Sequence, residues 1–581
     1  MSEKKLILGN EAFARGLFEA GCRVVSSYPG TPSTEITEYV SKYDEIYSEW
    51  APNEKVATEV AVGASFGGAR AFCAMKHVGL NVAADPLFTA SYTGVNGGLI
   101  ICVADDPGMH SSQNEQDSRH YAIASKVPMV EPSDSQECID FVKQAYEISE
   151  NFDTPVILRM STRVSHSQSI AFLNDRIDNG LKPYEKNPAK YVMVPANAKV
   201  KHVAVEQRTK DLIKFAETCK LNKIEYYDKK IGVITSGITY QYAKDALGEN
   251  ASYLKLGLVN PMPEQLIRDF AKNVDILYVF EELDDIIETH LAKLGIKAIG
   301  KELFSFIGEY SQKMIKEKIF GNSIKVKTLE EQLPVRPPVM CPGCPHRGLF
   351  YVLNKLKLTV SGDIGCYTLG AAPPLSAIDT TVCMGASISG LHGMNIARGN
   401  EFSKNSVAVI GDSTFIHSGI TGLIDIAYNK GCSTIIILDN SITGMTGHQE
   451  NPTTGKTIKG DPTYAVSLEK LCAAVGINRV NVVDPNNIEQ CEKLIKQEVS
   501  INEPSVIITR RPCALLKYVK HEKPLNINSE KCKSCKKCLK IGCPAISIID
   551  GKAQIDETLC VGCDLCLPLC PFDAIEKCSK E

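Results

Sequence analysis

Short apolar runs alternate along the chain with longer segments in which apolar positions recur at helical spacing. The clearest runs are IGVITSG (231–237), SVAVIGD (406–412), STIIILDN (433–440) and PSVIITRR (504–511). Short, β-branched runs that end near Gly, Asp or Asn predict buried strands of parallel sheets. The stretches 134–149 and 489–500 have helical character. This alternation predicts an α/β fold with several parallel-sheet domains.

Three segments rich in Pro, Asn and charge interrupt the pattern and predict linkers. They lie at about 173–191, 329–343 and 520–531. The predicted domains are therefore 1–185, 190–325, 330–520 and 525–581. Four domains suit a length of 581 residues, given about 150 residues per domain.

Composition excludes some classes of function. The chain is 44% hydrophobic, which is enough for sizeable cores, and its net charge of −4 argues against nucleic-acid or membrane binding. The N-terminus lacks the apolar stretch of a signal peptide. No run approaches the 18 or so apolar residues of a membrane span. We therefore expect a cytoplasmic protein.

Nine of the 22 cysteines fall in the last 50 residues, and eight of these follow a short, regular spacing. The second run is C-x2-C-x2-C-x3-C-P, and the first has one extra residue before its last cysteine. This arrangement is typical of two [4Fe-4S] clusters in which the fourth cysteine of each run binds the other cluster. The predicted ligand sets are Cys532, Cys535, Cys538 and Cys570 for one cluster, and Cys560, Cys563, Cys566 and Cys543 for the other.

A structural zinc module is the alternative, because C-x2-C pairs also bind zinc. The triple cysteine runs with Cys-Pro endings favour iron–sulfur clusters. Residues 525–581 resemble a bacterial two-cluster ferredoxin, which implies a small α+β domain. Cys578 has no place in the pattern and is predicted to be a spare thiol.

A carboxylate and an amide follow two of the predicted strands. Asp412 comes directly after Gly411, and Asn440 follows 28 residues later. Oxygen ligands at adjacent strand ends can hold a divalent cation and, through it, a diphosphate. The stretch resembles the thiamine-diphosphate motif, with Ser413 where a second glycine is usual. The resemblance implies that Asp412 and Asn440 bind Mg²⁺ through side chains and Ile442 through its carbonyl.

Thiamine enzymes also need a glutamate that hydrogen-bonds the aminopyrimidine ring of the cofactor. Residues 50–72 offer Glu54 and Glu59. Glu54 precedes Gly63 by nine residues, the spacing of the resembling families, and is therefore preferred. The alternative for Glu54 is a carboxylate that offsets a helix dipole, and Glu59 is expected to be a surface or interface carboxylate.

The order of these parts is similar to that of the 2-oxoacid:ferredoxin oxidoreductases. The resemblance also rests on YPGTPSTE (28–35) and DDPGMHSSQNEQDSR (105–119), and it spans essentially the whole chain. It is closest to large subunits of the branch that acts on aryl 2-oxoacids such as indolepyruvate and phenylpyruvate. The resemblance implies a pyrimidine-type domain, a transketolase C-terminal-type domain, a diphosphate-type domain and the ferredoxin domain, in that order.

The resemblance gives a role to a further set of cysteines. Related pyruvate enzymes hold a [4Fe-4S] cluster close to the thiamine by a C-x2-C pair, a later Cys and a final Pro-Cys. The matching positions here are Cys341, Cys344, Cys366 and Cys513. The alternative is that these four are small buried hydrophobes, as scattered cysteines more often are. The resemblance favours a third cluster.

The family's reaction is oxidative decarboxylation. It implies that thiamine diphosphate acts as electron sink for a 2-oxoacid, that electrons pass singly through the clusters to ferredoxin, and that coenzyme A takes the acyl group. The alternatives are pyruvate or another short or branched 2-oxoacid as substrate, and a non-oxidative decarboxylase with a structural tail. A pure electron-transfer subunit is disfavoured by the retained Glu54, Asp412 and Asn440.

Substrate contacts are the least specified feature. The resemblance puts the Thr31 hydroxyl near the substrate carboxylate, and it puts Gly30 and Met445 where pyruvate enzymes have bulkier or polar residues, which suits a flat aryl group. Arg119 or Lys76 is a candidate for the carboxylate, with an exposed structural salt bridge as the alternative for either. Candidate polar groups near the reacting carbon are His77 and His417, and structural histidines are the more common case.

One domain of the family has no counterpart in the sequence. Relatives carry a domain of about 200 residues, an ordinary domain size, that contacts the thiamine site and coenzyme A. Its absence predicts a separate small subunit, and the resulting pair is expected to dimerise because thiamine sites form where two domains meet.

Overall fold

The computed structural model describes residues 3–321, 331–334 and 336–578, which divide into two compact units, 1–330 and 331–581. The predicted boundary at 325–330 falls largely outside the described residues. The four-domain division remains a prediction. No helix of the described chain is long and apolar enough to cross a bilayer.

The first unit is built on a seven-stranded sheet that is parallel except at one edge, in the order β12-β6-β7-β5-β4-β2-β3. Its strands are β2 (Val24–Ser27), β3 (Tyr47–Trp50), β4 (Ala71–Lys76), β5 (Leu99–Asp105), β6 (Met129–Val130), β7 (Val156–Ser161) and β12 (Leu258–Asn260). An antiparallel pair is formed by β1 (Glu3–Leu8) and β8 (Gln168–Leu173).

Helices cover this sheet and complete two apolar cores. They are α1 (Gly9–Glu19), α2 (Thr34–Val40), α3 (Glu54–Phe66), α4 (His77–Val82), α5 (Ala84–Thr93), α6 (Arg119–Ser125), α7 (Ser135–Phe152) and α8 (Thr162–His166). The predicted helix at 134–149 is confirmed by α7, which Asp134 caps by accepting a hydrogen bond from the Glu137 amide.

A four-stranded sheet follows in the same unit, in the order β13-β10-β11-β9. Its strands are β9 (Lys223–Glu225), β10 (Ile231–Ser236), β11 (Ser252–Leu256) and β13 (Ile276–Phe280). Its helices are α9 (Pro188–Tyr191), α10 (Pro195–Ala216), α11 (Gly237–Leu247), α12 (Glu264–Lys272), α13 (Ile286–Lys293) and α14 (Gln312–Phe320). Strand β12 comes from this stretch of the sequence but belongs to the first sheet, where it pairs antiparallel with β6.

The second unit contains a five-stranded parallel sheet in the order β14-β15-β16-β18-β17. Its strands are β14 (Thr359–Ser361), β15 (Ser406–Gly411), β16 (Thr434–Asp439), β17 (Arg479–Val483) and β18 (Ser505–Arg510). Its helices are α15 (His346–Leu356), α16 (Ala386–Arg398), α17 (Asn400–Ser403), α18 (Asp412–Thr414), α19 (Ile420–Tyr428), α20 (Leu468–Ala474) and α21 (Ile488–Val499). The runs predicted at 406–412, 433–440 and 504–511 are confirmed as its buried strands.

The tail adds two antiparallel strand pairs joined by short 3₁₀ turns. These are β19 (Leu525–Ile527) with β22 (Ile575–Lys577), and β20 (Ile546–Ile549) with β21 (Lys552–Ile555). Cysteines form a large part of its small core. The predicted α/β class with a small C-terminal domain is confirmed.

Candidate active site and iron–sulfur ligands

Glu54 lies at the first position of α3, where the Asn53 side chain caps the helix by accepting from the Val56 amide at 2.9 Å. Its side chain is buried, with 4% of the residue exposed. Gly79 packs so closely that an added Cβ would lie 2.6 Å from Glu54 Oε1. By contrast, Glu59 is exposed and pairs with Lys55. Glu54 is therefore buried and Glu59 exposed, as we expect if Glu54 is the residue that contacts the cofactor.

Gly30, Thr31 and Lys76 come together at the carboxyl edge of the first sheet. A Cβ at Gly30 would lie 3.2 Å from Lys76 Cγ, so the glycine lets the lysine stem pass. Ser111 links the group: its hydroxyl donates to the Thr31 carbonyl at 3.1 Å, and its carbonyl accepts from Lys76 Nζ at 2.9 Å. Burial lowers the pKa of Lys76, and the Asp106 and Glu54 carboxylates oppose that change.

Arg119 does not join this group. It is 1% exposed and its guanidinium contacts Asp117 and Glu281, both at 2.6 Å. It also donates to the carbonyls of Glu282 and Asp284. The expectation that Arg119 holds the substrate carboxylate is therefore not supported. Its charge is neutralised inside the unit by structural ion pairs that are buried rather than exposed, unlike the salt bridge of the alternative interpretation.

The two histidine candidates are both buried. His77 begins α4 directly after Lys76, and its Nε2 lies 3.0 Å from Asn114 Oδ1. His417 lies in a π-helical turn, 415–419, with its Nδ1 2.7 Å from the Ser418 hydroxyl. Such turns are frequent at functional sites. Their roles toward substrate remain predictions.

In the second unit, Asp412 begins α18 immediately after β15 and is 2% exposed. The Ser413 amide donates to Asp412 Oδ1 at 2.7 Å, and the Thr453 hydroxyl lies 3.4 Å from Oδ2. Burial raises the pKa of Asp412 to about 7, and the neighbouring Asp439 carboxylate adds to the rise. A buried carboxylate beside a second one favours a bound cation.

Asn440 follows β16 and is brought next to the cysteines that the sequence placed near the cofactor. A Cβ at Gly444 would lie 3.4 Å from Cys366 Sγ and 3.7 Å from Asn440 Nδ2. The Asn440 carbonyl accepts from the Cys513 amide at 2.9 Å. Ile442, in the same loop, is buried. Asn440, a candidate Mg²⁺ ligand, and two of the four cysteines therefore share one edge of the sheet.

Met445 behaves differently from its neighbours in this loop. It is 51% exposed in the single chain. An apolar side chain held open here is available to a substrate or to a partner surface. Its predicted contact with an aryl group remains a prediction.

Tyr367 is a site residue that sequence reasoning missed. Its ring packs on Gly411, where an added Cβ would lie 2.7 Å from the ring carbon Cε1. Its hydroxyl donates to the Ile364 carbonyl at 3.0 Å and lies 3.3 Å from the Thr414 hydroxyl. The only sequence signal is its position beside Cys366. It fixes the strand end from which Asp412 emerges.

Gly411→Ala is expected to weaken the combined binding of Mg²⁺ and thiamine diphosphate and to lower the thermal midpoint by several degrees. The added methyl group displaces the Tyr367 ring, and overpacking of this kind costs about 1–3 kcal/mol. Calorimetric titration and thermal unfolding measure both effects. Gly393→Ala is the matched control, because a Cβ there meets nothing within 4 Å inside α16; equal behaviour of the two variants would contradict the assignment.

The four thiols Cys341, Cys344, Cys366 and Cys513 form one neighbourhood. Burial, followed by the Cys513 and Cys341 thiols, raises the pKa of Cys366 to about 11. Burial raises the pKa of Cys344 to about 12, with Cys366 and Cys341 adding to it. Burial also raises the pKa of Cys513, and the Cys341 thiol adds a smaller increase. These mutual effects place the four thiols near one another, as the candidate ligands of one cluster must be. We call them the inner set.

The tail cysteines surround two separate cavities. One is lined by Cys532, Cys535, Cys538 and Cys570, which we call the outer set. The other is lined by Cys560, Cys563, Cys566 and Cys543, which we call the middle set. Each cavity thus receives its fourth cysteine from the other run, which fits the predicted crosswise ligation. The exposed Cys578 lines neither of them.

Backbone amides point at tail sulfurs, as they do around iron–sulfur clusters. The Ala574 amide lies 3.3 Å from Cys570 Sγ, and the Leu525 amide lies 3.5 Å from Cys560 Sγ. Among residues 3–321, 331–334 and 336–578, no three His, Cys, Asp or Glu side chains converge closely enough to hold a single metal ion.

Arg347 joins the inner set to the tail and was also missed. It is 3% exposed and donates to the carbonyls of Met340, Cys341, Ile541 and Gly542. Burial lowers the pKa of Arg347, and thiols of the inner and middle sets oppose the change. Pro342 and Gly343, from the inner motif, also line the middle cavity. The middle set is therefore the one next to the inner set.

Three family models match the chain. Pyruvate flavodoxin/ferredoxin oxidoreductase, thiamine diP-bdg, matches residues 15–231. Thiamine pyrophosphate enzyme, C-terminal TPP binding domain, matches 363–509, which includes Asp412 and Asn440. The 4Fe-4S binding domain matches 553–576.

Curated relatives match over nearly the full length. The indolepyruvate oxidoreductase subunit IorA of Pyrococcus horikoshii is 40% identical, and that of Archaeoglobus fulgidus is 39% identical. Both matches cover 99% of this chain and 97% of the relative. Among solved structures, a 2-oxoglutarate:ferredoxin oxidoreductase from Magnetococcus marinus aligns over 55% of this chain and 65% of its own. The sequence identity is 18% and the TM-score is 0.47.

Proposed function

Because the chain belongs to the family of indolepyruvate oxidoreductase IorA subunits, within the 2-oxoacid:ferredoxin oxidoreductases, we propose that it is the large subunit of an enzyme that converts aryl 2-oxoacids to aryl-acetyl-coenzyme A. The relatives and family models support thiamine-diphosphate-dependent oxidation of a 2-oxoacid with electron transfer to ferredoxin. The aryl substrate, the coenzyme A product and the roles of individual residues are the proposal.

The observation that best supports this proposal is that the Mg²⁺ candidate Asn440 lies beside cysteines of the inner set. Asn440 and Cys366 both approach Gly444, and the Cys513 amide donates to the Asn440 carbonyl. A non-oxidative decarboxylase has no use for four thiols at this point. An enzyme that must remove electrons singly from the cofactor needs an acceptor here.

Each group of residues has one task. Bound thiamine diphosphate supplies a carbon nucleophile and an electron sink. Asp412, Asn440 and the Ile442 carbonyl would hold Mg²⁺ and, through it, the diphosphate. Glu54 would hold the proton that passes to and from the aminopyrimidine ring. Lys76, with Thr31, is the remaining candidate for the substrate carboxylate, since Arg119 is engaged elsewhere.

The preference for a flat aryl group rests on two positions. Gly30 lets the Lys76 stem lie where a larger side chain would stand, since a Cβ there would come 3.2 Å from Lys76 Cγ. Met445 offers an exposed, adaptable thioether in the loop after the Mg²⁺ candidates. The bulky residue and the polar residue of pyruvate enzymes at these two positions would suit a small substrate better than a flat aryl group.

The enzyme is proposed to need a second, small subunit. Curated relatives are named as subunits of an oxidoreductase. The family's domain of about 200 residues, a common domain size, that contacts coenzyme A is expected on that partner. The pair is expected to dimerise.

The test is anaerobic mixing of the full enzyme, with its small subunit and coenzyme A, against a panel of 2-oxoacids. Loss of iron–sulfur absorbance and reduction of ferredoxin are followed. Rapid loss with indolepyruvate and phenylpyruvate, and little with pyruvate, is expected. Loss with pyruvate alone would overturn the interpretation of Gly30 and Met445. No loss with any 2-oxoacid would count against the oxidative reaction.

A further inference from the structure

A basic run surrounds the first three cysteines of the tail. Residues 531–540 contain five lysines and no acidic residue, although the whole chain has a net charge of −4. The lysines are Lys531, Lys533, Lys536, Lys537 and Lys540. Asp556, Glu557, Asp564 and Asp573 are instead distributed around the second run. Positive charge in the tail is therefore concentrated along the first cysteine run.

Four of these lysines are exposed and lie around the outer set. Lys533 and Lys536 line its cavity, and Lys537 and Lys540 line the adjoining groove. The groove also contains the carboxylates of Glu489, Glu492 and Asp564, of which Glu492 pairs with Lys355 and Asp564 with Lys577. Lys531 pairs with Glu576 at 2.7 Å, whereas the other four lysines form no ion pair within the part of the chain that the structure describes. We call Lys533, Lys536, Lys537 and Lys540 the lysine collar. Their charges are directed to solvent rather than used for folding.

The outer set is also the end of the chain's cysteine path. The inner set adjoins the middle cavity through Pro342 and Gly343. Of the two tail sets, the outer one includes an exposed cysteine, Cys535, whereas the four cysteines of the middle set are buried or partly buried. If electrons enter the tail from the inner set, an external acceptor can approach the outer set more closely than the middle set, at the surface that carries the lysine collar.

We propose that the lysine collar is the docking surface for an acidic one-electron carrier protein. The inference rests on the proposed function, since it assumes that electrons leave through the outer set. An acidic carrier is repelled by a chain of net negative charge, so a local positive field is needed to orient it. Fields of this kind raise association rates 10- to 1,000-fold and weaken with ionic strength.

The experiment compares the wild-type enzyme with a variant in which Lys533, Lys536, Lys537 and Lys540 are all replaced by Gln. The acceptors are an acidic two-cluster ferredoxin and the small dication methyl viologen. At low ionic strength, we expect the variant to reduce ferredoxin at least about tenfold more slowly, with the difference vanishing as salt shortens the screening length. Viologen reduction is expected to stay unchanged or to rise slightly.

A matched control carries the same change in net charge elsewhere. It replaces Lys199, Lys272, Lys293 and Lys297 by Gln. These are exposed lysines of the first unit that form no ion pair with another residue described by the structure. This control should reduce ferredoxin at the wild-type rate and keep the wild-type salt dependence. Equal slowing in both variants would overturn the collar, because net charge alone would then explain it.

A measurement on the wild-type protein keeps the inference testable if the collar variant loses its clusters. Carbodiimide joins lysine amines to carboxylates that touch them, and the joined peptides are identified by mass spectrometry. Links from ferredoxin to 533–540 support the docking surface, and links confined to other lysines overturn it. Failure of the proposed function is distinguishable, since no 2-oxoacid would then reduce the clusters even with viologen present.

Discussion

Replacing Glu54 with glutamine is expected to slow reduction of the clusters by 2-oxoacids by about 100- to 10,000-fold, the usual contribution of a positioned acid–base group. Glutamine keeps the shape of a side chain that is 4% exposed and tightly packed against Gly79, but it cannot exchange a proton with the aminopyrimidine. Anaerobic stopped-flow absorbance gives the rate. Calorimetry should show that thiamine diphosphate still binds.

Glu59→Gln is the control within the same helix. Glu59 is exposed and forms an ion pair with Lys55 on the surface of the helix. Its variant should therefore keep nearly the wild-type rate. A large loss in Glu59→Gln with a small loss in Glu54→Gln would reverse the assignment of the two glutamates.

Replacing Cys366 with alanine is expected to remove the inner cluster and to disconnect substrate from the tail. Iron content should fall from about twelve to about eight atoms per chain, because each cubane holds four. Substrate should then fail to reduce the tail clusters, which dithionite still reduces directly. Iron and sulfide analysis, with electron paramagnetic resonance of the dithionite-reduced protein, measures both effects.

Cys432→Ala serves as control, since Cys432 belongs to none of the three cysteine sets and its thiol lies 4.0 Å from Asn400 Oδ1. Its iron content and rate should match the wild type. If Cys366→Ala also retains all the iron of the wild type, the inner set does not bind a cluster. The electron path would then have to begin at the middle set.

Local pattern was sufficient for several buried strands and for the two tail cysteine sets. Strands such as Thr434–Asp439 are apolar, short and buried on both faces, which leaves a continuous signal in the sequence. The tail cysteines follow a spacing imposed by the cluster itself. The two cavities accordingly contain the eight predicted thiols in the predicted sets.

Contacts between distant residues left no such signal. Arg119 is neutralised by Glu281, which lies 162 residues away, so its sequence neighbourhood could not distinguish a structural charge from a substrate ligand. Arg347 reaches carbonyls near 541, again far along the chain. The fit of Tyr367 on Gly411 depends on packing between a loop and a strand end, and packing is decided by the whole fold.

Strand β12 limits how the polypeptide can be divided. Leu258–Asn260 lies beyond the predicted boundary at 185–190, yet it forms the edge of the first sheet beside Met129–Val130. A fragment ending at residue 185 would lack this strand and leave β6 with an unpaired, apolar edge, a template for aggregation. Expression of the first predicted domain alone should therefore give insoluble protein, whereas a fragment ending after α14 retains the complete sheet.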